Sequence, residues 1–208
     1  MSTATDTENA VTTVPDSPHS VLRYDRFMQF VHWTTFLLLT ATFATAWLIR
    51  YADTREQVNG LVQLHRSLGL TTLCVTACRL MWRFVARIPP LPQDLARLQR
   101  LAARTNGYAL YALLLLQPSL GFLHSNAAGK PVVVYFLGTI PPLLAPDRDL
   151  ARLLFMAHGF VAQLLLGLIA LHVAAALFHH FVRRDDVLVA MVPRRRQPHM
   201  KATTGETP

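Results

Sequence analysis

Residues 156–180 read MAHGFVAQLLLGLIALHVAAALFHH. Nothing in this stretch carries a formal charge, its bulk is Leu, Ala, Val and Phe, and it holds the histidines His158, His172, His179 and His180. The uncharged run extends from Leu153 to Val182, well beyond the roughly 20 apolar residues that cross the hydrocarbon of a bilayer. It reads as a membrane helix. The question is what imidazoles do inside one.

Three further apolar segments precede it: Phe27 to Ile49, Leu61 to Met81 and, interrupted by Pro118, Gly107 to His124. The expected architecture is therefore an all-α membrane protein, a four-helix transmembrane bundle with spans at about 27–49, 61–81, 107–124 and 153–182. In a chain of 208 residues, four spans with short connections leave no room for a separate soluble catalytic domain, so function resides inside or just above the bundle. Residues 1–22 are polar and rich in Ser and Thr, lack the basic start and short apolar core of a cleavable signal, and read as a disordered cytoplasmic tail. Residues 194–208 read as a basic cytoplasmic tail that does not fold. The two cysteines, Cys74 and Cys78, stand one turn apart in the second span and are expected to be small buried packing residues. No CxxCH motif occurs, which excludes covalent c-type haem attachment.

A net charge of +8 in such a chain points to the positive-inside bias rather than to nucleic acid. The charges are asymmetric. Arg83, Arg87, Arg97, Arg100 and Arg104 follow the second span against Asp94 alone; Arg183, Arg184, Arg194, Arg195, Arg196 and Lys201 follow the fourth; Arg23 and Arg26 precede the first. On the other side Arg50 and Arg55 are offset by Asp53 and Glu56, and Lys130, Arg148 and Arg152 face Asp147 and Asp149. Both termini are expected in the cytoplasm of a bacterial inner membrane. The segment LARLQRLAARTNG, from Leu95, reads either as a basic amphipathic stretch on the inner surface or as a solvated linker.

Orientation assigns each intramembrane histidine a depth at about 1.5 Å per residue. His32 lies roughly 9 Å inside the cytoplasmic edge and His172 about 15 Å from it, while His65 and His158 lie near the outer starts of their spans. Two pairs result, His32 with His172 and His65 with His158. Fourteen residues separate His158 from His172, about 21 Å along the axis and within roughly 40° in rotation, so one helix face offers imidazoles at two levels. Two b haems stacked across a membrane need opposed neutral imidazoles at two such levels. The competing readings are histidines that hydrogen-bond a neighbouring helix, a proton relay, and a zinc or copper site. None of the four spans contains Asp or Glu, which weakens the relay, and two pairs about 20 Å apart are an odd design for one metal centre. His180 shares the rotational face but falls at the interface beside Arg183 and Arg184. Gly69, Gly121 and Gly159 offer room for a flat macrocycle or, equally, ordinary helix packing.

Several stretches together carry a family resemblance: RYDRFMQFVHW at the first span, LHRSLG and RLMWRF at the second, the loop GKPVVVYFLGTIPPL, and LHVAAALFHHFVRRDDVLVAMVP at the end. Over residues 23–193 the chain resembles the bacterial cytochrome b561 proteins, small four-span di-haem quinone oxidoreductases. The resemblance implies that His32, His65, His158 and His172 are the axial ligands of two non-covalent b haems. It also implies electron exchange with membrane quinone, ubiquinone or another, and for some members oxidation of superoxide at the outer face. One departure stands out: many relatives carry an acidic residue directly after the histidine that opens the fourth span, where this chain has Gly159.

The functional expectation is an inner-membrane oxidoreductase passing single electrons between the quinone pool and a periplasmic redox partner, superoxide or a partner protein, with membrane lipid as its surroundings. The alternative is a cytochrome b anchor and electron-conduit subunit of a dehydrogenase or hydrogenase. Arg26, Arg79 and Arg83 are candidates to pair with propionates of the inner haem and Arg66 with those of the outer one, each weighed against a role as interfacial anchor.

Overall fold

The structure, a computed structural model, describes residues 23–86, 89–90, 95–135 and 137–193. Both tails read from the sequence, 1–22 and 194–208, lie outside these residues. Four long helices make up most of the fold: α1 (Arg26–Leu48), α2 (Arg55–Val85), α3 (Arg97–Ala127) and α4 (Arg148–Phe178). Their starts are set by local chemistry. The Asp25 carboxylate accepts from the Met28 amide at α1, Thr54 and Gln57 cap α2 reciprocally, and Asp147 accepts from the amides of Asp149 and Leu150 at α4. Each cap satisfies backbone donors that have no partner in the first turn.

Two expectations are corrected here. The segment from Leu95 is not a linker: from Arg97 it is the first third of α3, which runs unbroken through Pro118 to Ala127. The cysteines Cys74 and Cys78 are exposed on α2 rather than buried, because the outside of a bundle in lipid is as hospitable to a small apolar thiol as its core. By length and composition α1, α2 and α4 are apolar enough to cross a membrane, and α3 is not among them. Its first eight residues carry Arg97, Arg100 and Arg104, and Gln117, Ser119 and His124 dilute the remainder.

The distribution of side chains is inverted relative to a water-soluble bundle. Phe30, Leu37, Met81, Phe84, Phe160 and Phe181 are all more than half exposed, while Thr35, Thr45, Ser67, Thr72, Thr76, Ser125 and Asn126 are buried. Such a continuous apolar exterior fits hydrocarbon as solvent. The hydroxyls of Thr35, Thr40, Thr42, Thr71, Thr72, Ser119 and Ser125 donate to the carbonyl four residues back, which satisfies them without leaving their own helix.

Helix α1 packs along α2, α3 along α4, and α2 against α3; no comparable backbone packing joins α4 to α1 or α2. Two hairpins thus meet through α2 and α3, and α4 stands off across a gap. Each end of the bundle is closed differently. At one end a two-stranded antiparallel sheet, β1 (Val132–Val134) and β2 (Gly138–Ile140), pairs Val132 with Ile140. It was not foreseen from the sequence. It lies over α2, where Ser67 donates to the Val133 carbonyl and Arg66 to that of Pro131. Gly129, at φ 67°, turns the chain out of α3 with its amide on the Asn126 carbonyl, a left-handed exit that glycine makes at little cost.

At the other end α4 passes into a π turn, His179–Arg183, where His179 meets the Asp185 carboxylate. Residues 189–192 then fold back onto the start of α1 as a clasp. Tyr24 and Gln29 donate to the Ala190 carbonyl, Trp33 to that of Met191, and Arg23 to those of Val189 and Val192. The clasp ties α4 to α1 where the helices themselves do not pack.

Candidate functional site

Four histidines face the gap between α4 and the α1–α2 hairpin. On the termini side His32 of α1 meets His172 of α4 with ring centroids 6.3 Å apart and planes at 62°. On the hairpin side His65 of α2 meets His158 of α4 at 6.2 Å and 80°. The structure brings together the two pairs that the depth argument proposed, while His179 and His180 stay in the π turn beyond them.

The hairpin-side imidazoles are anchored. The Nδ1 of His65 lies 3.0 Å from the Thr42 carbonyl and 3.3 Å from Thr45 Oγ1; Nδ1 of His158 lies 3.1 Å from the Gln117 carbonyl. A carbonyl only accepts, so Nδ1 carries the proton in both rings and Nε2 is left with a free lone pair, the form in which imidazole binds a metal. His158 reaches its carbonyl because residue 121, one turn on from Gln117, is glycine. A Cβ there would lie 3.0 Å from the ring's Cε1. The room that Gly121 provides is taken by an imidazole, whereas no atom comes within 4 Å of where a Cβ on Gly159 would stand, and only Pro118 at 4.0 Å approaches that of Gly69.

The termini-side pair is supported otherwise. His32 Nδ1 is buried and has no hydrogen-bond partner, and its ring packs edge-on against Trp33. Arg79 of α2 lies within electrostatic reach of both His32 and His172. Its guanidinium sits 5.4 Å from the centre of the Tyr111 ring, and its Nε is buried without a partner. Arg83 stands 5.9 Å from both Tyr108 and Tyr111, and Arg26 is exposed at the start of α1. At the hairpin side Arg66, next to His65 in the chain, donates through its guanidinium to Gln63 Oε1 and the Pro131 carbonyl.

The donor set limits what the pairs can hold. Among the described residues no three His, Cys, Asp or Glu side chains converge as a metal site, so each pair offers two facing imidazoles and no third protein donor. Two metal–imidazole bonds of about 2.0–2.1 Å, each extended by the roughly 1.1 Å from ring nitrogen to ring centre, put the centroids of trans imidazoles about 6.3 Å apart. Both pairs fit that separation. A metal held so must bring its own planar equatorial ligands, which a porphyrin does. One side chain must move: the Gln117 amide nitrogen lies 3.1 Å from Nε2 of His158, donating into the lone pair a metal would take, while its own Oε1 is buried without a partner.

Sequence reasoning missed Thr42, Thr45 and Gln117. The first and last act through backbone carbonyls, which no residue type advertises; only the lone amide of Gln117 in an apolar run was a visible signal. It also missed that α2 repeats the spacing of α4. Fourteen residues separate His65 from Arg79, as they separate His158 from His172, so α2 offers a cation at the lower level of the face whose upper level holds its histidine.

Fold and site together fit a helical membrane protein of the b-type cytochrome class, with paired histidines on separate helices facing one another across a gap. Comparison with known proteins agrees. The model of the prokaryotic cytochrome b561 family matches residues 23–194, and the chain belongs to that family. It is 31% identical over 172 residues to cytochrome b561 homolog 2 of Escherichia coli strain K12, covering 82% of this chain and 91% of that protein. It is 27% identical to cytochrome b561 homolog 1 of the same strain, over 84% and 99% of the two chains. A third relative, the probable superoxide oxidase CybB of Yersinia pestis, is 25% identical over 80% of this chain and 93% of its own length. The protein is thus a haem-carrying electron-transport protein of a bacterial membrane.

Proposed function

We propose that this chain is a di-haem inner-membrane oxidoreductase that takes electrons from superoxide at its periplasmic face and delivers them to membrane quinone. The observation that carries the reading is the pair of facing imidazole pairs at two levels of one gap. All four helices cross the membrane, α3 included, since its partners on both sides are membrane helices. The arginine distribution supports an orientation with both termini in the cytoplasm and the β-hairpin in the periplasm. His65 and His158 hold the outer haem b, His32 and His172 the inner one, with Arg66 near the propionates of the first and Arg26, Arg79 and Arg83 near those of the second. Bound there, haem supplies reversible one-electron chemistry at two depths.

The chain's own groups orient and admit. The carbonyls of Thr42 and Gln117 hold Nδ1 protonated so that Nε2 faces the gap. Lys130, Arg148 and Arg152, all exposed at the hairpin end, give a small anion a positive surface to approach, partly offset by Asp147 and Asp149. In the balanced reaction two superoxide ions are oxidised to two molecules of dioxygen, and one quinone takes the two electrons and two protons to become quinol. The name of the Yersinia pestis relative supports superoxide as donor.

The test is stopped-flow absorbance of the purified protein after a superoxide pulse, with and without superoxide dismutase, followed by added quinone. Rapid haem reduction that the dismutase abolishes, then reoxidation by quinone, is expected. Haem that stays oxidised under superoxide, yet is reduced by quinol or by a co-purifying dehydrogenase, overturns the superoxide reading in favour of a conduit subunit.

A further inference from the structure

The surroundings of the two pairs differ in a way that bears on the direction of electron flow. A proton donated from Nδ1 to a carbonyl makes an imidazole a more basic, more electron-rich ligand, which favours the more positive ferric ion. Both hairpin-side rings make such a bond, His65 to Thr42 and His158 to Gln117. The Thr45 hydroxyl adds a second acceptor for the His65 proton: its oxygen lies 3.3 Å from Nδ1 and is made a better acceptor because its own proton is donated to the Thr42 carbonyl at 2.8 Å. On the termini side His32 Nδ1 makes none, so at least one ligand there is the weaker donor.

A fixed positive charge acts in the same sense from the other side, because it disfavours the extra charge of the ferric ion, more strongly where the dielectric is low. Arg79 is such a charge, its Nε buried and unpartnered, on the same level as His32 and His172. The hairpin-side counterpart, Arg66, is half-buried as Arg79 is, but its guanidinium donates to Gln63 Oε1 and the Pro131 carbonyl, and none of its buried atoms lacks a partner.

We propose that Thr42, Thr45 and Gln117 lower the reduction potential of the site at His65 and His158, and that Arg79 raises that of the site at His32 and His172, so that the chain is poised to pass electrons from its hairpin face to its termini face. This rests on the reading of both pairs as haem ligands. Arg79 and Thr45 are positioning and tuning residues in this scheme.

The experiment is a spectroelectrochemical titration of the purified holoprotein, preceded by quantitation of haem per chain. Two haems with midpoints at least 59 mV apart are expected, that being a tenfold difference in a one-electron equilibrium constant. His172→Ala should keep the lower midpoint and His65→Ala the higher. Arg79→Gln should move the higher midpoint down and leave the lower in place, Arg79→Lys should restore it, and Thr45→Val should raise the lower midpoint alone. Coincident or inverted midpoints, or a higher midpoint indifferent to Arg79→Gln, overturn the proposal. A wild-type content other than two haems overturns instead the di-haem reading beneath it, and is seen before any potential is measured.

Discussion

His65 and His158 face each other with both Nδ1 atoms on backbone carbonyls, whereas His32, opposite His172, has a buried Nδ1 with no partner. The separations of the rings are nearly equal, 6.2 and 6.3 Å, so the difference lies in what holds them. At the hairpin side each ring is oriented by hydrogen bonds to an adjacent helix, Thr42 of α1 for His65 and Gln117 of α3 for His158. At the termini side His32 makes no such bond, and the nearby tie is the clasp of residues 189–192 onto the start of α1. One site is preorganised ring by ring, whereas in the other at least the His32 ring has no hydrogen bond to fix it.

The largest effect separates the two sites outright. His65→Ala and His158→Ala should each remove the hairpin-side haem and spare the other, and His32→Ala and His172→Ala should do the reverse, halving haem per chain in a pyridine haemochrome assay. Loss of the same haem from His32→Ala and His158→Ala would break the pairing. A subtler change acts on one site only. Gly121→Ala places a methyl 3.0 Å from the His158 ring, pushing it off the Gln117 carbonyl, and should weaken the hairpin-side haem about 10- to 100-fold, as loss of an orienting partner usually does. Haem titration of the apoprotein checks it, with the other site as internal control.

The two ends should also differ in how they respond to charge. Neutralising Lys130, Arg148 and Arg152 together should slow reduction by superoxide severalfold at low salt and leave haem content unchanged, the effect shrinking as the Debye length falls to about 8 Å at physiological ionic strength. Neutralising Arg97 and Arg100 should not alter the rate; equal slowing by both sets would mean that the hairpin face is not where superoxide arrives. The smallest effect is expected at the π turn. His179→Ala and His180→Ala should keep both haems, and a lost low-spin haem signal in either would show that α4 presents a different set of histidines to the gap.

Much of this arrangement was legible because membrane helices obey few rules. Uncharged length located the apolar helices α1, α2 and α4, and the fourteen residues between His158 and His172 put two rings on one face. The limits have equally physical causes. The continuation of α3 back to Arg97 escaped because three arginines in eight residues look the same at the polar end of a long helix as in a solvated linker. Cys74 and Cys78 were placed inside because burial of a thiol is a rule for water, and in lipid the exterior is apolar too. The β-hairpin and the clasp rest on backbone groups, as do the anchors of His65 and His158, and a carbonyl at position 42 or 117 carries no mark in the amino-acid alphabet.

The gap between α4 and the first hairpin has a consequence for how the protein is made. Each imidazole pair takes one ring from the α1–α2 hairpin and one from α4, so a nascent chain halted after α3 owns half of each site and can complete neither. With the pairs as the proposed haem ligands, cofactor capture waits for the last helix to be in place. Colour becomes a receipt for finished insertion, and a cell that degrades the colourless form clears every truncated copy without inspecting anything else.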